Sequence, residues 1–402
     1  LLLAFLLPAI AAGQTLFEPP QQITDGAANY QFSRNSAGAA AFDSQGTLHA
    51  TYFSGEEVTN PSAPSIVYYR SWTRSGSWGT QVAVDHSFAG NDRVGARHPA
   101  LAIAPDDTAH IAWQDHRHCT STYSYIDNTE IYANSKASGE SFAAADTRLT
   151  ESNAGPPGDN GYAPRIAALD DGRLAVTWFD FNGNADVADL YLKLSDNAQQ
   201  FDLTETMASM QMTDETARGG EPSFTMPDVA GEASGLGFTW TTGQSAIADL
   251  YYGFAPWGSG GVQSSQLIAE DVASYFDPPR IAVGPDNDVW IANVDGTSGL
   301  ALWHKADGAS TFEKITITNQ AYQNAGPAMV FDSQGLLHMA YVDARDGTKV
   351  YYLVFDPETE EVQEEVAVTP ETGNYARPVL ALDAQDRAVV LYEEKTNTAL
   401  PG

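Results

Sequence analysis

PALAIAPDDTAHIAWQD, residues Pro99–Asp115, sets the pattern by which the rest of the chain is read. A small or proline residue opens a short apolar strand, an Asp-Asp turn follows, and a second strand ends in an aromatic and an acid. Leu101 and Ile103, then Ile111 and Trp113, alternate with period two, the signature of strands packed on both faces. The turn fits a hairpin, because Asp, Asn and Gly tolerate left-handed backbone. The phrase returns from Gly38, Pro164, Pro222, Pro279, Pro327 and Pro378, so it recurs every 48 to 65 residues. That is room for four strands of roughly 5–6 residues and their turns. Repetition on this scale predicts an all-β, seven-bladed β-propeller of four-stranded antiparallel blades.

Third strands follow as IVYYR (from Ile66), EIYANS (from Glu130), DLYLKLS (from Asp189), DLYYGF (from Asp249), LALWHK (from Leu300) and VYYLVF (from Val350). Before the fourth strands lie SWTRSGSW (from Ser71), SKASGESF (from Ser135), DNAQQF (from Asp196) and DGASTF (from Asp307). In these degenerate Asp-box turns the chain resembles the BNR/sialidase-like propeller superfamily over nearly its whole length. The resemblance implies fold; Asp boxes are structural turns, and one fold hosts many activities.

The last copy ends soon after Glu394, and TLFEPPQQIT (from Thr15) reads as a fourth strand placed ahead of the first blade. The N-terminal strand is thus expected to close the ring and remove an exposed sheet edge. No third strand is legible for that last blade, as if the C-terminus were cut short. LLLAFLLPAIAAGQ reads as the apolar core and cleavage region of a secretory signal lacking its basic start. The expected organisation is therefore a truncated signal over 1–12 and a single propeller domain over 13–402. Its expected location is secreted, periplasmic or extracellular.

The formal net charge of −32 excludes a broad basic field, and with it nucleic acid or anionic membrane as partner. Such acidity suits salt water, where a Debye length of ~8 Å or less screens self-repulsion. A marine or halotolerant habitat follows. Cys119 is the single cysteine, so no internal disulfide forms.

In a blade the start of the first strand and the end of the second emerge on one face. Residues beside each repeat's proline and after its second strand therefore line a common funnel. They include Arg97, His98, His116, Arg117, His118, Tyr162, Arg165, Arg218 and Glu221, then Tyr275, Tyr322, Asn324, Arg345, Tyr375 and Arg377. His49, His110 and His338 share one position inside the second strand, which assigns them to packing. His98, His116 and His118 instead crowd one blade's ligand face.

Two imidazoles, a phenol and a guanidinium suit β-elimination of a uronate polysaccharide: a base takes the C5 proton, an acid protonates the leaving oxygen, and a cation neutralises the carboxylate. In ARHP (Ala96–Pro99), WQDHRHC (Trp113–Cys119) and NGYAP (Asn160–Pro164) the chain resembles the seven-bladed ulvan lyases of marine bacteria. The resemblance implies that His98, His118 and Tyr162 are catalytic. The family-like position for the neutralising arginine holds Trp178, which leaves Arg165, Arg218 or Arg97. Arg97, His116, Arg117, Glu221, Tyr275, Tyr322, Asn324, Arg345 and Tyr375 would bind substrate. The expected partner is an acidic polysaccharide, and the chain reads as a monomer.

Two other readings compete. One is a non-catalytic BNR-type propeller binding glycan or protein. The other is a sialidase-like hydrolase, which would recruit Glu221, Tyr275 or Tyr322, and arginines among Arg34, Arg218, Arg345 and Arg377; seven repeats speak against its six blades. No cofactor is required. Asp180, Asn182, Asn184 and Asp186 have the spacing of a calcium loop, although an Asn-Gly hairpin explains them equally. Asp115, His116, His118 and Cys119 include zinc-compatible donors, without a convergent set. The tryptophans mostly occupy repeat positions and read as core; Trp257 is the exception.

Overall fold

The computed structural model describes residues 2–5, 17–18, 20–24, 30–32, 38–54, 65–74, 76–86, 95–118, 129–150, 161–180, 189–196, 199–201, 210–211, 227–242, 247–257, 264–273, 278–295, 299–319, 321, 326–343, 348–370 and 373–394. Its strands in chain order are β1 (Leu2–Phe5) and β2 (Gln21–Gln22), then a first sheet of β3 (Tyr30–Gln31), β4 (Ala40–Phe42), β5 (Thr47–Ser54), β6 (Val67–Thr73) and β7 (Val82–Ala83). The second sheet holds β8 (Ala96–Ile103), β9 (Ala109–Asp115), β10 (Glu130–Lys136) and β11 (Thr147–Arg148). The third holds β12 (Gly161–Ala168), β13 (Leu174–Asp180), β14 (Asp189–Leu194) and β15 (Met210–Gln211). β16 (Asp228–Glu232), β17 (Gly235–Thr242), β18 (Ile247–Pro256) and β19 (Ser264–Ala273) form the fourth. The fifth is β20 (Arg280–Val283), β21 (Val289–Asp295), β22 (Gly299–Lys305) and β23 (Glu313–Thr318). The sixth is β24 (Ala328–Phe331), β25 (Leu337–Asp343), β26 (Lys349–Asp356) and β27 (Glu361–Ala367). A closing sheet joins β28 (Tyr375–Leu382) and β29 (Ala388–Glu394) to β1 and β2.

All strand pairs are antiparallel, and among the described residues there is no α-helix. The expectation of seven four-stranded blades is corrected: six sheets are four-stranded, and the one built on β5 has five strands. The physical reason lies in the register. β3 pairs with Phe53 and Ser54 while β4 pairs with Leu48 to Ala50, so both lie in tandem on the edge of β5 opposite β6. The first strands β4, β8, β12, β16, β20, β24 and β28 pack side by side in a circuit that returns to β4. Closure uses the N-terminal end, as expected, through two strands: β1 takes the third place beside β29, and β2 the fourth. Leu2–Phe5, read from sequence as part of a signal core, thus fills the strand that the sequence left missing.

The core lies between neighbouring sheets. Trp113, Trp178, Trp240 and Trp290 are almost wholly buried there, as their repeat positions predict. Each contributes roughly 4–6 kcal/mol of transfer free energy at ~25 cal/mol/Å² over 150–250 Å².

The hairpin turns between first and second strands carry a second regularity. The left-handed turn position is glycine in Gly46, Gly172 and Gly335, but an acid or amide in Asp107, Asn287 and Asp386. Where it is not glycine, its side chain reaches back to the preceding sheet's turn. Asp107 accepts the backbone N–H and hydroxyl of Ser44, both at 2.7 Å. Asp386 does the same for Ser333, and Asn287 accepts the N–H of Ala233 at 2.8 Å. Short polar side chains bear the left-handed strain at little cost, and here they also tie sheets together.

Candidate active site

The second and third sheets meet around Gln114. Its backbone pairs opposite Arg97 on β8, and its side-chain oxygen accepts the N–H of Ala163 on β12 at 3.4 Å. That contact fixes the amide orientation, so the amide nitrogen donates to His116 Nε2 at 2.9 Å. His116 is therefore a neutral imidazole carrying its proton on Nδ1. Burial, and then the Arg97 charge, push it down to about 4. Arg97, Gln114 and Ala163, far apart in sequence, thus meet at this junction.

Both first strands are distorted where they reach this junction. Register shifts fall between Arg97 and Ala100 on β8, and between Tyr162 and Arg165 on β12. A third falls between Ala376 and Val379 on β28. In each the residue before proline is left-handed: His98 at φ 51°, Ala163 at 45° and Arg377 at 50°. Non-glycine residues rarely adopt this conformation, and a following proline favours extended backbone instead. Such bulges re-aim side chains at sheet rims. His98 is half-buried with its ring 5.6 Å from that of Phe53. Tyr162, also half-buried, stacks on Phe179 at 5.3 Å.

On the outer side of the second sheet, Arg117 bonds Asp115 at 2.7 Å and Asp146 at 2.8 Å, and lies 3.8 Å from the centre of the Tyr132 ring. Asp146 in turn bonds His86 at 2.7 Å. The Tyr132 hydroxyl meets His118 Nε2 at 2.7 Å. Burial, then the positive Arg148, lower His118 below the ordinary histidine value, while burial raises Tyr132. At neutral pH the pair is an uncharged imidazole beside a protonated phenol, a combination able to pass a proton. Arg148 is itself held by Glu130, which also takes the Thr150 hydroxyl.

The remaining arginines are more deeply engaged. Arg97 is buried and donates to Ser65 Oγ at 3.2 Å. Arg165 is buried and bonds Asp228 on the fourth sheet at 2.7 Å; Gly38 leaves room for its guanidinium, since a Cβ there would collide with it. Arg377 donates to Gln31, the Phe32 carbonyl and Glu393. Tyr375 is buried, edge-on to Tyr392 at 5.5 Å. Arg34, Arg218, Glu221, Tyr275, Tyr322, Asn324, Arg345 and Cys119 lie outside the described residues, as do Asn182, Asn184 and Asp186; Asp180 closes β13 opposite Gly161. Among the described residues no three His, Cys, Asp or Glu side chains gather as a metal site.

Gln114 and Tyr132 went unread from sequence. Aromatics recur on third strands, so Tyr132 carries no signal of its own, and a glutamine inside a second strand reads as scaffold.

No protein-family model matches the chain, and neither does any curated protein. Solved structures do. The intramolecular trans-sialidase from Ruminococcus gnavus, in complex with oseltamivir carboxylate, superposes with a TM-score of 0.52 at 11% identity, over 93% of this chain and 92% of that one. The fold is that of a sialidase-like β-propeller. Hadza microbial sialidase Hz136 gives a TM-score of 0.55 at 11% identity over 83% of this chain, which spans 66% of that sialidase. An α-L-arabinanase from Penicillium chrysogenum, complexed with arabinobiose, gives 0.50 at 13% identity, over 80% of this chain and 94% of the arabinanase. The likeness is one of fold.

Proposed function

We propose that this chain is a secreted, monomeric carbohydrate-active propeller that cleaves a uronate-containing, ulvan-like polysaccharide by β-elimination. The observation that carries the reading is the convergence on Gln114 of the strands bearing His98 and Tyr162, beside the neutral imidazole of His116. Tyr162 and His98 share base and acid duties, and His118 assists through its bond to Tyr132. The C5–H and C4–O bonds break, C4=C5 forms, and the leaving oxygen takes a proton from the acid. Arg165, Arg218 or Arg97 neutralises the carboxylate; of these Arg165 is already paired with Asp228, while Arg97 bonds the neutral hydroxyl of Ser65. A metal plays no part in the step, and calcium at Asp180 to Asp186 would be structural.

The test is absorbance near ~235 nm with ulvan and related uronate polysaccharides, where only elimination creates an unsaturated uronate. Activity is expected to fall at least a hundredfold, roughly, in His98→Ala and Tyr162→Phe. No absorbance rise with any such substrate removes the lyase reading; a rise that both variants retain removes the residue assignment. The likeness to sialidases supports a second reading, a sialidase-like hydrolase, because both chemistries grip a sugar carboxylate. Release of fluorophore from a 4-methylumbelliferyl sialoside would select it. Silence in both assays, with glycan retained on the protein, would leave the non-catalytic binding propeller.

A further inference from the structure

Comparison of equivalent positions around the ring isolates a cleft between the second and third sheets. In the first sheet His49 Nε2 faces Asp43 at 3.1 Å and its Nδ1 meets the Tyr69 hydroxyl at 2.7 Å. The sixth sheet repeats this with Asp332, His338 and Tyr352, at 3.0 and 2.6 Å. In the second sheet His110 keeps its place, but turn and strand register put Ala104 where the acid stands and Ala133 where the tyrosine stands. The missing phenol also leaves a ring without its neighbour. Phe142 packs edge-on against Tyr69 of the preceding sheet at 5.2 Å, and Phe312 against Tyr252 of its preceding sheet at 5.2 Å. Phe201, the corresponding residue of the third sheet, faces Ala133 across the gap instead.

The result is a cleft of about 590 Å³ lined by Ala133, Phe201, His110, Ser135, Gln199 and Thr108, among others. His110 bonds Ser135 Oγ and Gln199 Oε1, each at 2.7 Å, so its neutral ring is held in place between the two sheets. Burial keeps that ring uncharged. The walls thus offer uncharged hydrogen-bonding groups, methyl surfaces from alanines, and one aromatic ring. This mixture matches a polyhydroxylated ring with apolar C–H faces.

We infer that this inter-sheet cleft is a second binding site, separate from the Gln114 junction, for a neutral pyranose that occupies the space of the absent tyrosine, its ring against Phe201 and its hydroxyls on Ser135 and Gln199, the two side chains that His110 holds in place. A uronate is disfavoured there, because Asp106 stands at the rim.

Saturation-transfer NMR and calorimetry with methyl glycosides of glucose, galactose and xylose test this, with p-cresol as the phenolic control. Binding of at least one glycoside is expected. Ala133→Tyr should weaken it tenfold or more, by restoring the phenol found in the first and sixth sheets. Ser135→Ala and Phe201→Ala provide the same reading should the tyrosine variant fold poorly. No glycoside binding, binding of p-cresol alone, or glycoside binding unchanged in the folded variants overturns the proposal. None of these outcomes bears on the elimination assay, which uses a different substrate and a different face.

Discussion

Replacing His49 with alanine removes two hydrogen bonds from a buried network and leaves both partners behind. Asp43 accepts only, so His49 Nε2 carries the proton and Nδ1 accepts from Tyr69. Tyr69, pushed up to about 12 by burial, stays protonated to donate. A bond to a charged group is worth about 1.5–3 kcal/mol and a neutral one about 0.5–1.5, so the variant should lose about 3–4 kcal/mol. His110→Ala, whose partners are neutral and line an open cleft, should lose only about 1–2 kcal/mol. Burial lowers His49 below 6.5 in the folded protein. The unfolded chain then binds the extra proton first, so this group's contribution is full above pH 6.5 and declines as pH falls below it. Urea unfolding at pH 7.5 and pH 5.5 measures both effects. The His49→Ala deficit should exceed that of His110→Ala and shrink at the lower pH. Equal deficits, or a His49→Ala deficit that grows on acidification, would refute the reasoning.

Four further outcomes are expected. Gly38→Ala should drive the Arg165 guanidinium from Asp228 and cost about 3–5 kcal/mol in a urea melt, the cost of splitting a buried ion pair. Asp107→Ala should lower the melting temperature more than Asp107→Gly, because both lose the Ser44 bonds but only alanine is strained at φ 64°. For the elimination reaction, Tyr132→Phe should reduce kcat roughly tenfold. Protonation of the assisting His118, which burial lowers, should cut the rate only below pH 6.5.

Much of the ring was legible because each repeat states its own strands and turns. His49 and His338 each sit in an equivalent buried Asp–His–Tyr network of their own sheet, as their shared position predicts, whereas His110 departs because Ala104 and Ala133 are silent about what they lack. Leu2–Phe5 shows a limit of composition: a short apolar run reads alike as signal core or strand, and only its pairing with β29 decides its place here. The left-handed turns at His98, Ala163 and Arg377 were illegible for a different reason. Local preference before proline points to extended backbone, and tertiary packing overrides it. Gln114 escaped notice because a junction built by one amide leaves no pattern along the chain.

The register of the last sheet also determines how the molecule yields to force. Leu2 lies opposite Tyr392 and Phe5 opposite Val389, so tension applied through Leu2 and Tyr392 loads the ladder at one end. The rungs then open in succession, as in a zipper, rather than sharing the load in shear. Held from those two points, the toroid is mechanically soft at its fastening, while force applied across the ring from other sheets must break buried inter-sheet packing all at once.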